Sequence, residues 1–241
     1  MADVSTARVR SVHAPGVTFV ELTDPDRKNV LDDTAIAELH AALDAANPRE
    51  VLVLRGAGDG FSVGRPHAPG GHPKGPEAAR EALEEVVRLN LRVLRWEAPT
   101  LAVVHGFAHG AALGLVQQFD VAIASSEARF SFPEMTYNLP PGLVASYLRR
   151  FVNEKSARFL VMTGEEVEAE RAREMGLISQ VVERAVLNET ATRISDAFVA
   201  RLEAEIALKT SLAALTPWPG HVEDAMQHGL HAVIRWTSRP K

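Results

Sequence analysis

The chain has 241 residues, 46% of them hydrophobic, enough for one domain with a sizeable core or for one domain with a helical extension. Its formal net charge of −5 with histidine neutral disfavours a broad nucleic-acid-binding surface. It has no cysteine, which excludes disulfides, thiolate nucleophiles and cysteine metal sites.

Met1 to Val12 shows no charged start leading into an apolar run, so it does not read as a signal peptide. No stretch approaches the roughly 20 apolar residues that a bilayer span needs. A cytoplasmic protein is expected.

Ala7–Val12 and Val17–Leu22 read as two strands joined by the turn His13-Ala14-Pro15-Gly16. Asp32 or Asp33 caps a helix to about Ala46, with Ile36, Leu39 and Leu43 on its buried face. Val51–Leu54 is a fully apolar strand, the mark of a sheet covered on both faces. Gly56, Gly58 and Gly60 allow a tight turn after it, and Arg65 to Pro76, rich in Pro, Gly and His, reads as a mobile lid or a partly disordered loop. Glu77–Arg95 is a helix, Leu101–Val104 a buried strand, and His105–Gly110 a junction into a second helix, Ala111 to about Phe119. Val121–Ala124 and Arg129–Phe132 are strands.

The two prolines of Asn138–Gly142 demand a loop. Leu143–Phe151, Glu154–Met162 and Ala169–Met175 are helical and Leu177–Val182 is a short strand. The pattern from Leu187 to Leu215 is one helix, Pro217–Gly220 breaks it, and Val222–Trp236 is the last. The reading is an α/β core over residues 1–183 with a helical C-terminal region, 184–241, used in packing or oligomerisation.

Two junctions run from a buried strand through glycine toward a helix: Phe61-Ser62-Val63-Gly64-Arg65 and Gly106-Phe107-Ala108-His109-Gly110-Ala111. Amides at a helix start have no internal partner, and glycine lets the backbone approach a ligand. Such junctions suit a developing oxyanion, and equally suit plain turn and packing duty.

The run Pro99 to Gly114 resembles the central motif of the enoyl-CoA hydratase/isomerase, or crotonase, superfamily. So do Phe119-Asp120-Val121-Ala122-Ile123-Ala124-Ser125, the proline-glutamate segment Ala128–Glu134, and the late Thr163-Gly164-Glu165-Glu166 with Gly176-Leu177-Ile178. The similarity spans roughly Val17 to Glu183. It implies a spiral of ββα units, assembled as a homotrimer or hexamer. It also implies an acyl-CoA substrate, with coenzyme A entering only as part of that substrate and no prosthetic group. The thioester oxygen would sit between the backbone amides of Arg65 and Ala111. Lys28, Val63 and Arg65 would line the CoA side. Partners of other classes, nucleic acid or membrane, are not expected.

The same resemblance assigns Glu134 as the acid/base. To act as a general base its carboxyl should have a pKa raised by burial. Where family hydratases carry a first glutamate, this chain has Gly114. That departure leaves room for a bulkier acyl group or for a side chain from elsewhere. One carboxylate suffices to move a double bond, whereas hydration needs a substitute. A non-catalytic acyl-CoA-binding or structural homologue is the alternative. His67, His109 and Tyr137 are auxiliary candidates. His228 and His231 have metal-compatible spacing, but no carboxylate motif completes a zinc site, so no metal is expected.

Overall fold

The computed structural model describes residues 7–66, 76–215 and 221–238. His67, most of the expected lid and the Pro217–Gly220 break lie outside the described residues.

In chain order the elements are β1 (Val9–Ala14), β2 (Val17–Leu22), α1 (Asp33–Ala45), β3 (Val51–Gly56), α2 (Pro76–Leu94), β4 (Thr100–Val104), β5 (Phe107–His109), α3 (Ala111–Val116), β6 (Val121–Ser125) and β7 (Arg129–Ser131). After a 3-10 turn at Pro133–Tyr137 come α4 (Gly142–Tyr147), α5 (Glu154–Thr163), β8 (Val167–Glu168), α6 (Ala169–Met175), β9 (Gln180–Val182), α7 (Leu187–Ala200), α8 (Leu202–Leu215) and α9 (His221–Thr237). The fold is α/β, with repeated ββα units and a helical C-terminal region.

One sheet has the order β1-β2-β3-β4-β6-β9, with β1 antiparallel to β2 and every later pair parallel. The continuous apolar run of β3 has the predicted cause. Leu52 and Leu54 face the core built on α1, α2 and α3, while Val51 and Val53 face the opposite side. There they meet Leu101, Val103 and Ile123, and α7 covers the layer with Leu187, Ile194 and Phe198. Asp32, not Asp33, caps α1, accepting from the Ala35 amide at 3.0 Å. Such a cap stabilises a helix by about 1 kcal/mol.

Three expectations are corrected. The helix expected over Leu187–Leu215 is broken at Arg201, whose φ of −128° and ψ of 24° leave the helical region. Neither glycine nor proline marks the break, so periodicity passes through it. Beyond it, Lys209 holds α8 to the core, donating to Ala98 O at 3.0 Å and to Asp120 at 2.7 Å. The helix expected to run to Phe151 ends at Tyr147 and tightens into a 3-10 turn. The junction His105–Gly110 contains a strand, β5, which belongs to a second sheet of order β5-β7-β8.

Gly106 shows why that junction tolerates no side chain. Its φ is +60°, and a Cβ there would run into the Asp59 carbonyl oxygen and lie 2.9 Å from Gly60 Cα. Gly106→Ala combines left-handed strain with a backbone collision, and should cost about 3 kcal/mol in urea unfolding. A loss under about 1 kcal/mol would show that the 59–60 turn and β5 are not tightly apposed.

Candidate active site

β5 positions the site. It pairs in parallel with β7, placing Ala108 opposite Phe130, and on its other side Ala108 bridges Ser62, also in parallel. The Ser62 amide donates to Phe107 O at 3.2 Å and the His109 amide to Ser62 O at 3.0 Å. Three segments therefore leave one register row in the same direction. Arg65 lies three residues past Ser62, Ala111 three past Ala108, and Glu134 four past Phe130.

The first segment is laced to the chain before α1. Buried Asn29 donates to Ala57 O and Gly60 O at 2.8 and 2.9 Å. The Ser62 hydroxyl donates to Asn29 O at 2.7 Å and accepts from the Gly64 amide at 3.0 Å. The Leu31 amide donates to Gly64 O at 2.8 Å. Gly64 has φ of +78°, and a Cβ on it would lie 2.5 Å from His109 O and 3.0 Å from Ala111 N. Only glycine lets the 64–65 backbone close on the start of α3 in this way.

Among the described residues, neither the Arg65 amide nor the Ala111 amide donates a hydrogen bond. The Arg65 side chain turns back instead, donating to Leu31 O at 3.1 Å and pairing with Asp33 at 2.7 Å. Gly110, with φ of +52°, precedes α3 and donates to Ser131 O at 2.9 Å.

Glu134 opens the 3-10 turn. The residue is half-buried as a whole, but its Oε2 is shut off from solvent and has no hydrogen-bond partner among the described residues. Burial pushes its carboxyl up to about 7. Among the described residues it accepts from its own amide and closes no ion pair, so a merely structural duty leaves its buried Oε2 unexplained.

The space beside Gly114 is filled. A Cβ at that position would come 2.5 Å from the Tyr147 hydroxyl. Tyr147, at the end of α4, is buried, and that burial together with the Glu134 charge holds its phenol proton on. The Asn90 and Gln118 side chains lie beside the phenol, short of ordinary hydrogen-bond geometry, and act the other way. Gln118 also donates to Gly114 O at 3.0 Å.

Lys28 is exposed, with left-handed backbone, and its carbonyl accepts from Val63 N at 3.1 Å. Its charge reaches His109, whose Nε2 lies 3.1 Å from a Glu166 carboxylate oxygen, within ion-pair distance but out of hydrogen-bond geometry. Burial, opposed by Glu166 and aided by Lys28, lowers the proton affinity of His109. Tyr137 lies on the far end of the Glu134 turn and is exposed. His105 Nε2 donates to Gly58 O at 2.8 Å, and His228 and His231 are exposed.

Sequence reasoning passed over Tyr147, Asn90 and Gln118. Tyr147 hides in the apolar run Leu143–Leu148. Asn90 carried a readable signal: it breaks the α2 stripe of Val86, Val87, Val93 and Leu94 with a polar group at a core position.

The family model described as enoyl-CoA hydratase/isomerase matches residues 13–227. A putative enoyl-CoA hydratase of Thermus thermophilus is 31% identical over 216 residues, 88% of this chain and 85% of that protein. A hydroxycinnamoyl-CoA hydratase-lyase of Pseudomonas fluorescens is 28% identical over 190 residues, 75% of this chain and 68% of that protein. The crystal structure of an enoyl-CoA hydratase/isomerase from Xanthobacter autotrophicus superposes with a TM-score of 0.85 at 27% identity, covering 97% of this chain and 88% of that one.

The raised Glu134 pKa has a signed consequence for stability. The folded state binds this proton more tightly than the unfolded state, whose carboxyl titrates near 4.5. Its stabilising contribution is complete below that value and is lost as pH rises toward about 7. Glu134→Gln should match the wild type in urea unfolding near pH 4 and exceed it at pH 8 by about 2–3 kcal/mol. A difference between the two proteins that stays constant across that range would mean that the carboxyl is not held neutral by its surroundings.

Proposed function

The chain belongs to the enoyl-CoA hydratase/isomerase family, and we propose that it binds an enoyl-CoA thioester and moves a proton on its acyl chain with Glu134. The observation that carries this reading is a carboxyl near neutrality whose buried Oε2 has no partner among the described residues, carried on a segment that leaves the same register row as two amides that donate to nothing there.

In this reading the Arg65 and Ala111 amides donate to the thioester oxygen. As a proton leaves the acyl chain, negative charge builds on that oxygen, and each donor stabilises it by about 3 kcal/mol. Glu134, ionised in about half the molecules near neutral pH, takes the proton and returns it to another carbon of the same enolate. Gly114 supplies no second carboxylate, and Tyr147 stays a neutral phenol. Isomerisation of a double bond needs only this one acid/base. Lys28 and Val63, joined by a backbone hydrogen bond two residues before Arg65, would line the CoA side.

Hydration is the second reading. The Thermus and Pseudomonas relatives, named as hydratases, favour it. Glu134 would then take a proton from water as the water oxygen bonds to the β carbon and the double bond's electrons move onto the thioester enolate, and would pass that proton to the α carbon.

The same proposal takes the molecule as a cytoplasmic homotrimer or hexamer. Among the described residues no helix is long and apolar enough to cross a membrane. Phe159 and Met162 on α5, and Leu208 and Leu212 on α8, are exposed apolar side chains that assembly would cover.

A panel of short, long, branched and cyclic enoyl-CoA thioesters tests this with wild type and Glu134→Gln. The expected result is turnover of at least one thioester, reduced about 10²–10⁴-fold in the variant while thioester binding is kept. A shifted double bond in the product supports the first reading and a hydroxyacyl product the second. Binding without turnover across the panel would leave an acyl-CoA-binding homologue, and no binding at all would sink the acyl-CoA reading.

A further inference from the structure

The polar atoms around Gly114 form a group that the proposed proton transfer leaves unused. Asn90, Gln118 and Tyr147 come from α2, from the turn that follows α3, and from α4, and each is more than nine-tenths buried. Asn90 Nδ2 and Oδ1, Gln118 Oε1 and Glu134 Oε2 complete no hydrogen bond of ordinary geometry among the described residues. Several such atoms in one native interior, beside one buried carboxyl, call for a shared ligand. The sequence at 114 follows from the same cluster. The hydroxyl stands where the Cβ of any larger residue would go, so glycine there makes room for Tyr147.

We propose that Tyr147 is a positioning residue: its hydroxyl, set between Asn90 and Gln118 in the space that an acidic side chain at 114 would need, donates across one bridging water to the Glu134 carboxylate and favours its proton-accepting form. The inference rests on the reading of Glu134 as the acid/base and extends it. The phenol keeps its proton throughout, so it orients and stabilises while Glu134 alone gives and takes protons.

The other groups around Glu134 do not compete for this role. Among the described residues Tyr147 is the titratable group on which the Glu134 charge acts, opposing loss of its phenol proton. Helix α5 packs on the Glu134 turn, but its charged residues Glu154, Lys155 and Arg158 are exposed, and Arg158 pairs with Glu154. Helix α9 packs on α4, where a Cβ on Gly142 would lie 2.8 Å from Gly229 O, so the helix that ends in Tyr147 is seated firmly.

The test is a carboxyl NMR titration of Glu134 in wild type and Tyr147→Phe, without substrate. A hydrogen bond to a charged group is worth enough to move the midpoint by about one unit, so Tyr147→Phe should titrate about one unit higher. On an accepted enoyl-CoA the same variant should lose roughly 10- to 100-fold in kcat with KM within about twofold, and the acidic limb of its pH profile should move up with the NMR midpoint.

Should Tyr147→Phe fail to fold, fluorotyrosine labelling keeps the question open to measurement. The chain has two tyrosines, so 3-fluorotyrosine in a Tyr137→Phe background reaches Tyr147 alone. The more acidic phenol is the better donor and should lower the Glu134 midpoint. An unmoved midpoint in both experiments overturns the proposal and makes Tyr147 a space-filling residue. If the midpoint moves but no thioester is turned over by the wild type, the positioning role stands and the catalytic reading falls. Glu134-dependent turnover with an unmoved midpoint separates the two the other way.

Discussion

Parallel pairing of Ser62, Ala108 and Phe130 is the constraint on which the proposed site depends. Strands that run the same way deliver their C-terminal ends to one place, whatever follows them. Here a left-handed glycine, the start of a short helix and a 3-10 turn follow, and each directs one polar group to the same end of the small sheet. Gly64 and Gly106 belong to the same constraint, because a side chain on either would push its strand off its neighbour. The proposed site is thus held by backbone, and in the proposed reaction the residues at 65 and 111 would contribute only their amides.

Beside this row lies a carboxyl whose buried Oε2 has no hydrogen-bond donor among the described residues. A buried ionisable group with no partner opposes folding when charged, so it shifts toward its neutral form. Glu134 does so through burial, with no acidic neighbour needed. Strain of this kind gathers at functional sites, because a carboxyl poised near neutrality can both hold and release a proton. The filled space at Gly114 fits the same picture. The interior stays close-packed where an acidic side chain is absent, and the filler is a phenol whose burial favours the neutral form.

The C-terminal helices take part in this arrangement from a distance. α7 seals the second face of the main sheet, whose strands carry the loops of the site. α9 buries Met226 and Leu230 and braces α4, which presents Tyr147. Packing far from the chemistry therefore sets how rigidly the chemistry is held.

Much of this was legible in the chain. The apolar run of β3 announced a sheet covered twice, Asp32 announced its helix, and the glycines at 64, 106 and 110 marked the places where backbone comes close to backbone. These features are local: propensity, capping and φ preference act within a few residues, and their signals sit in adjacent letters. Tertiary structure decided the rest. A three-residue strand such as β5 exists because Ser62 and β7 flank it, and the end of α7 at Arg201 leaves no mark in composition. Tyr147 meets Gly114 across 33 positions, and Asn90 joins them from another helix. Contacts between residues distant in sequence are fixed by packing, and it was packing alone that showed which side chain occupies the space at Gly114.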